Sequence, residues 1–346
     1  MKKSKLTLAL LVAACTAPLT AQAGTFNTIP DESGFDGFIL VGGTVTNFSS
    51  NIIAGNSLTH VNHNSTNSLD QSPDSENGTS AVFTGEINYT FADHDLQVFF
   101  GNELENVLRY DLAMKLGARR DLNGNGVASF ALITSGALPT HVYADPFNID
   151  KSEETDRDMK GIQIGWDNIL DKNINLELTH KEVEIDHDNS GAALVEEGLL
   201  TTNQQGLLKR DGSIQTLKVS YSYALSPTQH FEPELVFEKT DKDGDALNYD
   251  RYGASLSYLY IHGRFSLVGQ VVYSHSEYEE INPVWNMDDE GDNNAAAASL
   301  VLTYANPFGW KDTSAVTSLA YANENSNIDF YDAHIATASV GLLYKF

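Results

Sequence analysis

The chain has 346 residues, with 47 acidic against 21 basic side chains and a formal charge of −26. That balance excludes indiscriminate binding to phosphate backbones, so nucleic acid is not an expected partner. With 41% hydrophobic residues, 16 Phe, 15 Tyr and 3 Trp the chain is too apolar for disorder, yet no apolar run approaches the roughly 18 residues of a membrane-spanning helix. A soluble globular protein or a membrane β-barrel remains.

Lys2, Lys3 and Lys5 precede the apolar stretch from Leu6 to Ala14, and Ala21-Gln22-Ala23 offers small residues where a signal peptidase reads. This predicts an export signal over residues 1–23, cleaved after Ala23, with the remainder, 24–346, as one domain. Val12-Ala13-Ala14-Cys15 is the rival, since it resembles a lipoprotein lipobox and would make Cys15 a lipidated terminus. Cleavage after Ala23 removes three lysines, no acid and the only cysteine, shifting the formal charge from −26 to −29. An exported chain without disulfides needs another source of stability, and a continuous inter-strand hydrogen-bond network in lipid is one.

From residue 34 onward, stretches of about 11 residues alternate apolar and polar positions, the length of a tilted strand crossing a bilayer. In chain order the expected strands lie near 37–48, 81–91, 96–103, 109–118, 126–135, 160–168, 174–186, 215–225, 231–240, 250–260, 265–275, 295–305, 313–323 and 336–346. The alternation is clearest at 215–225, where Leu217, Val219, Tyr221, Tyr223 and Leu225 oppose Thr216, Lys218, Ser220, Ser222 and Ala224. The connections alternate too. Short turns fall at 92–95, 121–126, 170–173, 226–229, 262–264 and 306–312. Longer polar segments fall at 49–78, 103–108, 136–159, 188–212, 241–249, 278–293 and 324–329. Tight turns at one end and long loops at the other is the asymmetry of outer-membrane barrels. The fold class is therefore all-β, a closed antiparallel transmembrane β-barrel of about 14 strands within a range of roughly 12 to 16. Phe91, Tyr223, Phe231, Tyr260, Phe265, Tyr304 and Phe346 fall on the outward phase beside short turns, forming a periplasmic aromatic girdle.

The last residues, Val340, Leu342, Tyr344 and Phe346 at alternate positions, resemble the C-terminal assembly signal of Gram-negative outer-membrane barrels. The resemblance implies an outer-membrane location and recognition by the barrel-assembly machinery. The stretch Ile29-Pro30-Asp31-Glu32-Ser33-Gly34-Phe35-Asp36-Gly37-Phe38 also resembles the start of an outer-membrane family of unknown function, and that resemblance supplies no activity.

On the same phase the inward face carries Glu86, Asp111, Asp167, Glu177, Glu232, Glu234 and Glu238 with Lys115, Lys181, Lys218 and Arg251. Unpaired charges in a dry interior are prohibitively costly, so these residues are candidates for lining a water-filled pore. Cross-lumen pairing in a plugged barrel is the alternative. The predicted outer loops hold 26 acids against 5 bases. A mouth of one sign concentrates counter-ions and favours cations. Divalent bridging to lipopolysaccharide and plain solvation are the other readings of the same charge. The segments 136–159 and 188–212 are long enough to constrict the channel, and Ala192 to Leu200, with Leu194, Leu199 and Leu200, suits a short helix there.

Motifs for other chemistry are thin. Asp241, Asp243 and Asp245 alternate as in a calcium loop, but Tyr252 stands where the bidentate Glu would be. Asp288-Asp289-Glu290 with Asp292 is a charge cluster, and His60 and His63 have no evident third ligand. No cofactor is expected beyond weak divalent binding by the acidic loops. His180, Ser257 and His275 are available for hydrolysis but nothing in their spacing links them, so enzyme activity is not expected. The reading is a passive, cation-preferring outer-membrane channel for small hydrophilic solutes. Its rival is a closed-lumen surface protein whose acidic loops meet lipopolysaccharide, divalent ions or another cell, and a membrane hydrolase is a third class.

Overall fold

The computed structural model describes residues 29–346, apart from 57–58, 61–67, 107–110, 137, 150–152 and 286–290 and the side chains of 59–60 and 103–106. The expected export signal, its rival at Cys15, His63 and the Asp288–Glu290 cluster lie outside the described residues, as does the side chain of His60.

Fourteen strands close into one antiparallel barrel. They are β1 (Gly34–Ser49), β2 (Glu76–Phe91), β3 (Leu96–Asn106), β4 (Asp111–Asp121), β5 (Val127–Thr134), β6 (Glu154–Asp167) and β7 (Ile174–Ile185). Then come β8 (Gly212–Tyr221, continued by Tyr223–Ser226), β9 (Gln229–Lys242), β10 (Tyr249–His262), β11 (Phe265–Tyr278), β12 (Asn293–Ala305), β13 (Thr313–Ser326) and β14 (Ala333–Lys345). Each pairs with its neighbours in sequence. The barrel shuts where β1 pairs with β14 from Phe38↔Lys345 to Ser49↔His334. Closure leaves no sheet edge to satisfy, which is what allows a sheet to stand in hydrocarbon.

The alternation seen in the sequence is the alternation of the wall. Outward residues such as Val41, Phe83, Ile87, Leu116, Leu132, Ile164, Leu178, Leu235, Val271, Leu319 and Val340 are all more than a third exposed. A contiguous apolar band of this extent is unfavourable in water and is matched by lipid. Its upper border is marked by outward charges, including Lys160 and Glu182, 3.2 Å apart on β6 and β7. At the lower border, rings of the expected girdle meet: Phe265 and Tyr304 lie 4.7 Å apart, and Arg264 covers the Tyr304 ring at 4.6 Å. Phe91, Tyr223, Tyr260 and Phe346 are exposed there, whereas Phe231 and Tyr304 are half-buried.

The short turns carry the backbone strain. All nine non-glycine residues with positive φ among the described residues lie in them, seven being Asn or Asp and the others Leu170 and Phe308. Asn and Asp tolerate this region because their short polar side chains bond locally. At Gly126 (φ +91°) a β-carbon would run into the Asp167 carbonyl, so the turn after β4 admits no larger residue.

Several strands outrun the 11-residue expectation. β1 and β2 have 16 residues each, and β6 starts at Glu154 rather than near 160. The segment 154–159 reads as a loop because above the lipid its outward residues are charged, Asp156 and Asp158, which erases the apolar alternation. Its inward residues, Thr155, Arg157 and Met159, are nonetheless buried.

Candidate functional site: the inner wall and the mouth

The inner wall is built by the polar phase of each strand. The eleven expected lining residues lie on β2, β4, β6, β7, β8, β9 and β10, each on the phase that carries its strand's buried polar residues. Some of the wall's contacts join paired strands and others reach to a strand two or three places away. Lys218 on β8 donates to Glu177 on β7 at 2.8 Å. Arg251 on β10 lies 3.3 Å from Glu238 on β9 and 3.8 Å from Glu324 on β13. Lys115 reaches Gln163 Oε1 at 3.1 Å. Asp111 is buried between Arg157 and the Thr140 hydroxyl. Glu232 accepts from Ser220 at 3.1 Å and from Ser222, and Ser255 donates to Glu234 at 3.3 Å. Asp167 and Lys181 take the same face on β6 and β7.

Two inward cations escaped the sequence reading. Arg119 pairs with Glu86 at 3.2 Å, donates its Nε–H to Gln97 Oε1 at 2.6 Å, and lies over the Phe99 ring at 5.2 Å. Arg157 holds Asp111. Arg119 shares the parity of Lys115 on β4, and Arg157 lies in the stretch 154–159, where charged outward residues erase the apolar alternation. Inward acids escaped as well: Asp36 accepts from Asn88 at 2.8 Å and Gln97 at 3.1 Å, and Glu324 accepts from Asn293 at 3.0 Å, so the additions carry both signs. At one level of the wall Phe38, Leu40, Leu259, Val268, Val301, Val316 and Leu343 make an apolar arc across β10–β14 and β1.

The mouth is covered. Phe147 from the third outer loop, Leu194, Leu200 and Leu208 from the fourth, and Ile328 and Phe330 from the seventh share one buried cluster, with Leu69, Val284 and Trp285 packed on it. Phe147 stacks on Phe330 at 5.5 Å, and Trp285 lies 5.3 Å from Phe330. The fourth loop contains two short helices, α1 (Ala192–Glu196) and α2 (Thr202–Gly206). The helix expected over 192–200 is thus cut short after Glu196, and Leu199 is 67% exposed rather than part of the cluster. The segment 136–159 is not all loop. Thr140–Tyr143 is a strand paired to β6, and against it lies Ile53–Asn56 from the first loop, buried at all four residues. The first loop, which the sequence reading left aside, therefore enters the upper barrel.

Two carboxylates lock this cover. Asp145 accepts the N–H groups of Gly191 and Ala193 at 2.9 Å each, tying the third loop to the start of α1. Burial alone would raise the Asp188 pKa, but Arg210 and hydrogen bonds from Ser190 and the Arg210 backbone outweigh it and hold the carboxyl below its ordinary 3.8.

The candidates for other chemistry are not brought together. The 241–249 turn is tied by Asp243 N to Asp211 O at 2.8 Å and Ala246 N to Leu207 O at 3.2 Å. Among the described residues no group of three or more His, Cys, Asp or Glu, including Asp241, Asp243 and Asp245, gathers as a metal ion would need. Ser257 is buried on the inner face, whereas His180 is exposed on the outer face and His275 contacts Asn294 there.

The fold and wall define a closed 14-stranded β-barrel with an apolar exterior and a hydrogen-bonded polar interior. The chain belongs to the family described as "Protein of unknown function (DUF2860)", whose model matches residues 34–345. No curated protein matches it. Among solved structures it is similar to the CymD monoaromatic hydrocarbon channel, with 10% identity, TM-score 0.45, and 94% of this chain and 93% of that one covered. It is likewise similar to a Pseudomonas aeruginosa FadL homologue (10%, 0.43, 94% and 94%). A loop-deletion mutant of OmpT, an outer membrane protein of Vibrio cholerae, matches at 11% identity and TM-score 0.40 over 90% and 99%.

Proposed function

We propose that the protein is a passive outer-membrane channel for small hydrophilic solutes, cation-preferring, with an outer mouth narrowed by packed loops. The observation that carries this reading is the two-faced wall. The outside is a continuous apolar band, and the inside is a ladder of paired charges and hydroxyls, an arrangement suited to water and to transient contacts with polar solutes. Cation preference comes from the acids of the wall together with those of the outer loops. Transit through many weak contacts is fast and modestly selective. The test is the reversal potential across a planar bilayer under a salt gradient. Cation preference in the native chain that falls in Glu232→Gln/Glu234→Gln/Glu238→Gln supports the assignment, and an unchanged potential in the variant rejects those residues as lining.

A second reading has its own observation. The loop cluster around Phe330 covers the mouth, which suits a surface protein whose lumen stays shut and whose acidic loops bind lipopolysaccharide or divalent ions. A folded chain that never conducts, but loses envelope binding when residues 278–293 are deleted, favours this reading.

A further inference from the structure

Two consecutive arginines on β4 point to opposite faces. Arg119 is inside and fully engaged. Arg120 is exposed on the outside and has no hydrogen-bond or ion-pair partner among the described residues. It pairs in register with Leu96 and Ala128 near the strand's lower end, two residues above the Leu122 turn, while Leu116 higher on the same face belongs to the apolar band. Such a position is the height of lipid headgroups. An unpartnered cation there is matched by phosphate, to which a guanidinium can donate twice.

Beside Arg120 is an open recess of about 500 Å³ between the second and third short turns, with Leu122, Trp166 and Leu170 as its apolar lining. Trp166 is fixed in place, its Nε1 donating to Asn125 O at 2.8 Å, and the residue remains 37% exposed. Leu170 adopts φ +53°, a region bulky residues avoid, and its side chain is 55% exposed. The rim carboxylates are used within their own turns: Asp121 Oδ1 accepts from Asn123 N at 2.7 Å and Asp171 Oδ1 from Asn168 Nδ2 at 3.1 Å.

We propose that this recess binds one phospholipid of the periplasmic-side leaflet, with Arg120 on the phosphate and Trp166, Leu122 and Leu170 along the first acyl carbons, and that it prefers an anionic headgroup. The proposal rests on the membrane-barrel reading and not on conduction. Trp166 serves as the reporter. A Trp285→Phe/Trp310→Phe chain is refolded into phosphatidylcholine vesicles, and brominated phosphatidylcholine or brominated phosphatidylglycerol is added stepwise. Trp166 quenching is expected at an about fivefold lower fraction of the phosphatidylglycerol. Arg120→Gln should bring the two lipids level, and Arg120→Lys should keep a preference. Equal quenching by both lipids, unmoved by Arg120→Gln, overturns the site. No quenching by either overturns the membrane placement of this face, and with it the barrel-in-membrane reading. Native mass spectrometry of the otherwise unaltered chain gives a second measure: a retained phosphatidylglycerol adduct lost in Arg120→Gln supports the site, and an adduct that persists overturns it.

Discussion

Arg210 Nη2 lies 2.9 Å from Asp188 Oδ1, with both side chains almost wholly withdrawn from solvent in the fourth outer loop. Arg210 also donates to Ala144 O at 3.1 Å, so the pair joins the third loop to the fourth. Removing one partner leaves the other charge buried and uncompensated, at a cost of about 3–5 kcal/mol. Arg210→Gln is expected to release the loop cover without unfolding the barrel. Limited proteolysis should cut between 186 and 211 in the variant and leave the native chain intact, while heat-modifiability on gels stays unchanged.

The same pair sets a pH dependence. The folded pKa of Asp188 is depressed, so its contribution to holding the cover is present above its ordinary 3.8 and is lost only as pH falls through the lower folded value. The native cover should remain protease-resistant across mildly acidic pH and open only in strong acid. In Arg210→Gln, where the cover is already open, this acid transition should be absent, and protease protection against pH compares the two.

Phe330 is fully buried at the centre of the mouth cluster. Truncating it to Ala removes the ring that Phe147 and Trp285 pack on, at a cost of about 3–5 kcal/mol to the cover. On the channel account Phe330→Ala raises single-channel conductance, because the loops no longer hold together. An unaltered conductance would show that the constriction lies elsewhere.

The seam is sensitive to bulk. At Gly42 a β-carbon would meet the Val340 carbonyl on the neighbouring strand. Gly42→Val should therefore lower the yield of folded barrel in refolding trials, read as loss of the heat-modifiable band. Gly263 (φ +60°), beside open space, should tolerate Asn with little effect.

The barrel was legible in the sequence because lipid imposes a strict rule: where a strand crosses hydrocarbon, outward residues must be apolar, so 215–225 and 336–346 declare their phase. Above the lipid the rule lapses. Asp156, Asp158 and Lys160 face out from β6, and the strand looks like loop there, which is why Arg157 went unseen. The mouth was legible only as charge and length. Its cluster joins Phe147, Leu208 and Phe330, residues from separate loops whose meeting depends on the closed barrel bringing their ends together. The turn strain at Leu170 and Phe308 leaves no mark in composition, since neither residue favours positive φ.

Single-channel recording of the purified, refolded chain in a planar bilayer under a salt gradient tests the central claim most directly. The account predicts discrete conductance steps with a reversal potential on the cation side, increased in amplitude by Arg210→Gln. A folded, heat-modifiable barrel that gives no steps, in the native chain and in Arg210→Gln alike, would contradict it.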